Sequence, residues 1–174
     1  MSVQSLIEAA HLTAAPQPFD WEQAEEHLGM RLPTDYRELV NAGGAGLWFN
    51  DLRLYSPGDS VKFRDLMESN GVFEDLLFFW EEDPEFRPTD LPDDAQLIAW
   101  ASTGHGERLF WRVDADSPSA AYPIYIENGD GTEWERFDMS TTDFLLGVLR
   151  GDVTSRFFSD IFMHTDQVFR PYAQ

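Results

Sequence analysis

Carboxylates dominate the chemistry available to this chain: 32 Asp and Glu stand against 12 Lys and Arg, a formal net charge of −20 over 174 residues. Glu81-Glu82-Asp83 with Glu85 could in principle supply the acid and base of a glycosidase-type hydrolase. Such a pair needs surroundings that push two pKa values apart. With so many carboxylates, adjacency is expected by chance, and nothing singles out one pair. Metal ligation is poorly supplied. His11, His27, His105 and His164 are far apart, without His-x-His or His-x-x-x-His spacing, and cysteine is absent. That absence excludes disulfides, thiolate metal sites and a Cys nucleophile. Asn128-Gly129-Asp130-Gly131-Thr132-Glu133 resembles a calcium loop only superficially, lacking the alternating Asp order and the distant twelfth-position Glu. A hairpin turn needing positive φ is the better reading. Ser102-Thr103-Gly104-His105-Gly106 places hydroxyls near an imidazole but has no Gly-x-Ser-x-Gly elbow, so a tight turn is expected. Gly43-Gly44-Ala45-Gly46 follows a helix instead of opening one. A phosphate cradle needs the amides of a helix N-terminus, so this run reads as a helix stop. No cofactor is expected.

The charge itself is the more informative feature. A folded chain of this size exposes roughly 8,700 Å². Evenly spread, the excess charges would lie beyond the Debye length of about 8 Å. They are not evenly spread. Glu74 to Asp94 holds nine carboxylates and one Arg, and Asp114 to Asp138 holds seven and one Arg. Concentrated charge of one sign disfavours nucleic acid and anionic membranes and favours a basic protein partner. The competing reading is an acidic surface that serves solubility. Phe73, Phe78, Phe79 and Trp80 precede an acidic, proline-broken loop. Core packing accounts for Phe73, Leu76, Leu77 and Trp80. Phe78 or Phe79 is left over at the edge, because the run is too apolar for one face. An aromatic anchor beside a carboxylate rim is a common interface construction. The candidate partner-binding residues are therefore Glu74, Asp75, Phe78, Phe79, Glu81, Glu82, Asp83 and Glu85.

These residues must be positioned by surrounding elements. Residues 1–18 read as an N-terminal extension with a helix over Val3 to His11, and residues 19–174 as a single domain. Asp20 with Gln23 forms a capping-box signal for a helix carrying Trp21, Ala24 and Leu28 on one face, and Gly29 suits its left-handed end. Pro33 suits the first turn of a second helix that buries Tyr36, Leu39 and Val40. Leu52 to Tyr55 alternates as a strand. Val61 to Trp80 reads as helical with a break at Asn70-Gly71, and Glu81 to Asp94 as an irregular surface loop. Gln96 to Val113 and Tyr122 to Phe137 read as two adjacent hairpins, packed under a helix from Ser140 to Leu149 whose cap involves Asp143. Phe157, Phe158, Ile161 and Phe162 suggest one further helix. Trp21, Tyr36, Leu39, Leu54, Trp100, Trp111, Trp134 and Phe144 are the large residues expected inside. The order gives an α+β fold with a mainly antiparallel sheet flanked by helices. No basic n-region opens the chain and no apolar run reaches 18 residues, so a soluble, cytoplasmic protein is expected.

The helix pair around Leu32-Pro33, the Leu-x-Leu strand Leu52 to Tyr55, the strands about a glycine-rich turn at Gln96 to Val113, the aromatic strand Glu133 to Phe137 and the helix Ser140 to Leu149 together resemble the SUKH superfamily. This superfamily comprises fungal cell-wall-assembly and killer-toxin-resistance regulators and their bacterial immunity-protein relatives. The resemblance spans roughly residues 19–150, while the acidic segment 60–95 departs from it. It implies a SUKH-like fold and a non-enzymatic immunity protein that neutralises a cognate toxin, often a nuclease with a basic cleft. The alternative it implies is an intracellular regulatory scaffold. Outside the resemblance, a hydrolase using paired carboxylates is the third reading.

Overall fold

The computed structural model describes residues 2–13, 18–115, 117–158 and 168–172. The chain begins with α1 (Ser2–Ala10), α2 (Trp21–Leu28) and α3 (Thr34–Gly43). A hairpin of β1 (Gly46–Trp48) and β2 (Leu52–Leu54) leads through two 3-10 turns, Lys62–Arg64 and Leu66–Glu68, into α4 (Ser69–Glu82). A third 3-10 turn, Pro84–Phe86, precedes β3 (Gln96–Ser102), β4 (Arg108–Val113), β5 (Ile124–Glu127) and β6 (Trp134–Phe137). Then come α5 (Thr141–Arg150) and β7 (Phe169–Pro171). Every strand pair is antiparallel, in the order β6-β5-β4-β3-β2-β1-β7, so the expected α+β fold with an antiparallel sheet is present.

Local signals act where they stand in the sequence. The Asp20 carboxylate accepts the Gln23 N–H at 3.0 Å, and Gly29 ends α2 at φ 70°. Ser140 caps α5 through the Asp143 N–H, and Gly151 stops it at φ 78°. α3 ends at Gly43, as its glycine run implies, with Pro33 standing just before its first turn.

The sheet is covered on both faces. On one face Trp111 meets Tyr36 of α3 edge-on at 4.9 Å and stacks on Trp100, which meets Phe144 of α5. The Trp111 indole N–H donates to the Thr141 hydroxyl at 2.8 Å. Across that layer Asp35 of α3 accepts both the backbone N–H and the hydroxyl of Thr142 at the start of α5. Tyr36 is fully buried, and its hydroxyl donates to the Tyr55 carbonyl at 2.6 Å. On the other face Phe110 and Trp134 carry α4 through Trp80, and the Ser69 hydroxyl donates to the Ala99 carbonyl. A β-bulge at Trp100 re-aims β3 between these layers. The segment expected as an N-terminal extension packs its helix on α3 and α5 and buries Leu6 completely.

Several expectations are corrected. α4 starts at Ser69 and takes in Asn70-Gly71 as part of its first turn, with Gly71 facing open solvent. A solvent-facing glycine costs a helix only about 1 kcal/mol and does not break it. The interruption comes earlier, where the Asp65 carboxylate accepts the N–H groups of Gly58 and Met67. Leu77, expected inside, is 40 % exposed, since the helical turn that buries Leu76 and Trp80 carries Leu77 outward. Trp21 and Trp134 are half-buried, each spending its indole N–H at the periphery, on Asn41 and on the Phe86 carbonyl. The strands β1 and β7 were not expected. Of the further helix, Ile161 and Phe162 lie outside the described residues, as does His164. Phe157 and Phe158 lie in a turn closed by the Phe158 N–H on the Ser155 carbonyl. Among the described residues no helix is long and apolar enough to cross a membrane.

Candidate partner-binding site

α4 buries Leu76 and Trp80 against the sheet, which turns its opposite side to solvent. Phe78 stands on that side, 70 % exposed. Residues three and four apart are neighbours on a helix surface. Glu74 and Asp75 precede Phe78 by that spacing and Glu81 and Glu82 follow it, all four exposed. The helix therefore surrounds one exposed aromatic ring with four carboxylates. Asp83 closes the helix, its N–H bonded to the Phe79 carbonyl, and Glu85 extends the charged surface from the 3-10 turn. Phe79 is half-buried and stacks on Phe86 at 5.6 Å, so it supports this turn while Phe78 is displayed.

The loop behind the helix is fastened. The Arg87 guanidinium donates to the carbonyls of Leu91 and Pro92 and lies over the Trp80 ring. Trp134 donates to the Phe86 carbonyl at 3.0 Å. Arg136 bridges Asp90 and Asp138, and these two carboxylates hold its guanidinium more firmly protonated than usual. The segment from Glu81 to Asp94, expected as an irregular loop, instead opens with the last turn of α4 at Glu81 and Glu82 and the 3-10 turn Pro84–Phe86; the remainder is irregular but anchored at both flanks. A surface ordered before contact loses less freedom on binding.

The two acidic clusters differ in how much of their charge is free. In the second, Asp114 pairs with Arg112, Glu127 with Arg108, Glu133 and Glu135 with Arg156, and Asp138 with Arg136. Arg112 stands two residues before Asp114, whereas Arg108 and Arg156 lie far from their partners in sequence and reach them only through the fold. In the first, Glu74, Asp75, Glu81, Glu82, Asp83 and Glu85 form no ion pair among the described residues. Glu81 and Glu82 also occupy the last turn of α4, which has no basic residue there and no acidic residue in its first turn. Carboxylates at a helix C-terminus oppose the helix dipole, typically by about 0.3–1 kcal/mol each. Charge held where it weakens the helix is better explained by use than by stability.

The other chemical candidates resolve into structural roles. The Thr103 hydroxyl is taken by Glu107, and His105 Nδ1 lies 3.6 Å from Asp51. The Asn128 side chain folds its turn by accepting the N–H groups of Asp130 and Thr132. A groove of about 420 Å³ includes Asp138 and Asp143, but Arg136 holds the first and Ser2 the second. Among the described residues no three His, Asp or Glu side chains converge as metal ligands.

A family model described as SUKH_6, SMI1-KNR4 cell-wall, matches residues 19–145. No curated protein and no solved structure matches the chain.

Proposed function

The chain belongs to the SUKH superfamily, and from that premise we propose that it is a non-enzymatic immunity protein that binds and blocks a basic partner, a cognate toxin. The α4 face with its 3-10 turn meets a basic surface on the toxin, such as the substrate cleft of a nuclease. Occlusion needs no turnover: the carboxylates occupy the place of substrate charge, and Phe78 anchors the contact. One observation carries this reading. Phe78 is exposed at the centre of four carboxylates that no cation of the described chain neutralises. Unscreened charge of one sign speeds encounter with a basic partner, and an apolar centre with a polar rim slows its release.

The test uses the product of the gene directly upstream, where a toxin gene would stand. Association with the purified chain is followed at low and at physiological salt. The expected result is an association rate that falls as salt rises. Reversing Glu81, Glu82 and Glu85 to Lys together slows it further, with the thermal midpoint held. Unchanged rate and affinity in the triple variant at low salt would reduce the acidic face to a solubility device.

A further inference from the structure

At the far edge of the sheet the surface changes sign. Arg53 on β2 and Arg170 on β7 both stand in register with Leu47 on β1. Residues in register across antiparallel strands share a face. Both arginines line an open groove of about 480 Å³, with Leu47 between them and Asn50, Asp51 and Tyr172 around them. Among the described residues eight of the chain's Lys and Arg side chains pair with carboxylates. Arg31, Arg53, Arg150 and Arg170 do not, among the described residues, and of these Arg53 and Arg170 share the groove, in a chain that carries 32 acidic side chains against 12 basic ones. Arg53 gives one N–H to the Thr103 carbonyl at 3.1 Å. Asp51 is drawn aside, accepting the Gly104 N–H at 2.9 Å with His105 beyond it. Two guanidiniums against one carboxylate leave the lining with one surplus positive charge.

The walls are fixed. The Tyr172 hydroxyl donates to the Leu54 carbonyl, and its ring lies under the Arg64 guanidinium at 3.6 Å, which Asp59 holds in turn. Burial and the nearby charge of Asp59 keep the Tyr172 phenol neutral well beyond its ordinary range. On the other side the β1–β2 turn places Phe49 at φ 54° and Asn50 at φ 62°. A bulky residue in that region is strained, and the turn is held by burying the Phe49 ring to 2 % exposure. Strain of this kind gathers at ligand sites. Arg170 and Tyr172 also lie beyond residue 145, where the family match ends, so the groove is built partly by a strand outside the matched region.

We propose that this groove binds one oxyanion group, phosphate or carboxylate, carried by a small molecule. Guanidinium forks suit both anions, and the groove lies within the usual size of small-ligand sites. Its apolar floor at Leu47 and the Tyr172 ring receive the non-polar part of that molecule. A polyanion is disfavoured, since a chain of net charge −20 repels it everywhere else.

The full chain is titrated with inorganic phosphate and with acetate, each against chloride at matched ionic strength. Amide NMR shifts and calorimetry are the readouts. The expected result is saturable binding of at least one of them, with shifts centred on Leu47, Arg53 and Arg170. A response to phosphate alone identifies a phosphate carrier, and to acetate alone a carboxylate carrier. Arg170 is exposed, and R170Q leaves the ligand-free thermal midpoint unchanged and weakens binding about tenfold or more, the loss of a charge-assisted bond. The proposal is overturned if neither anion binds beyond chloride. It is equally overturned if the shifts centre elsewhere, such as on Arg136, or if R170Q binds as tightly as the unaltered chain. Were R170Q to disturb the fold, the shift map of the unaltered chain decides alone.

Discussion

Trp134 on β6 donates its indole N–H to the carbonyl of Phe86 at 3.0 Å, and that bond fastens the acidic turn to the edge of the sheet. Trp134→Phe keeps an aromatic ring between Phe110 and Trp80 and removes the donor together with part of the indole's volume. The expected cost is about 1 kcal/mol. Amide exchange at Phe86 and Arg87 should quicken, while exchange in β3 and β4 holds. Unchanged protection at the turn would mean that Arg87 and Arg136 suffice to hold it.

Phe78→Ala should separate binding from folding. Its ring is 70 % exposed, so stability should move by no more than about 0.5 kcal/mol. Affinity for the basic partner should fall by about tenfold or more, chiefly through faster dissociation, as for an interface anchor. Phe79→Ala should do the reverse, loosening the turn through loss of its stack on Phe86. Equal binding by wild type and Phe78→Ala would remove the ring from the interface.

Stability should fall at alkaline pH, with Tyr36 as a main contributor. Burial, and then the charge of Asp65, push its phenol well above the ordinary 10.0. A raised folded pKa means that the neutral phenol stabilises the fold below pH 10.0, and that this is lost as pH climbs from 10.0 towards the folded value. Each such phenol adds about 1.4 kcal/mol of loss per pH unit in that window. Tyr36→Phe should lower stability at neutral pH by about 1–3 kcal/mol, because the Tyr55 carbonyl loses its donor. The same variant should flatten the alkaline decline in denaturant titrations. Parallel curves for the two proteins would show that Tyr36 does not carry it.

Gly46→Ala should displace β7. A Cβ there would lie 2.4 Å from the Phe169 ring and 2.5 Å from the Arg170 carbonyl oxygen, and the second of these is backbone. Overpacking of this kind typically costs about 1–3 kcal/mol. Protection of the amides at 168–172 should drop, and anion binding in the groove should weaken with it. Retained protection would show that the strand shifts without detaching.

The sequence alone was enough for whatever near neighbours decide. Asp20 with Gln23, Ser140 with Asp143, and the glycines at 29 and 151 act within a turn of where they stand. The alternation of Gln96 to Phe137 is long enough to reveal four strands. The acidic stretch around α4 was legible too, because its charge is local and the helix period selects which residues face out. Short strands were not: Gly46–Trp48 and Phe169–Pro171 hold too few residues for a period, and they exist through pairing, the first with both β2 and β7 and the second with β1. Which acidic cluster keeps its charge was also beyond the sequence, since Arg108 and Arg156 reach their partners in the second cluster only through folding. Phe78 and Phe79 read alike until the sheet fixed the rotation of α4 and took Phe79 into the stack with Phe86. The groove between Arg53 and Arg170 is the extreme case, because a pairing between distant strands carries no trace in either one's immediate neighbours.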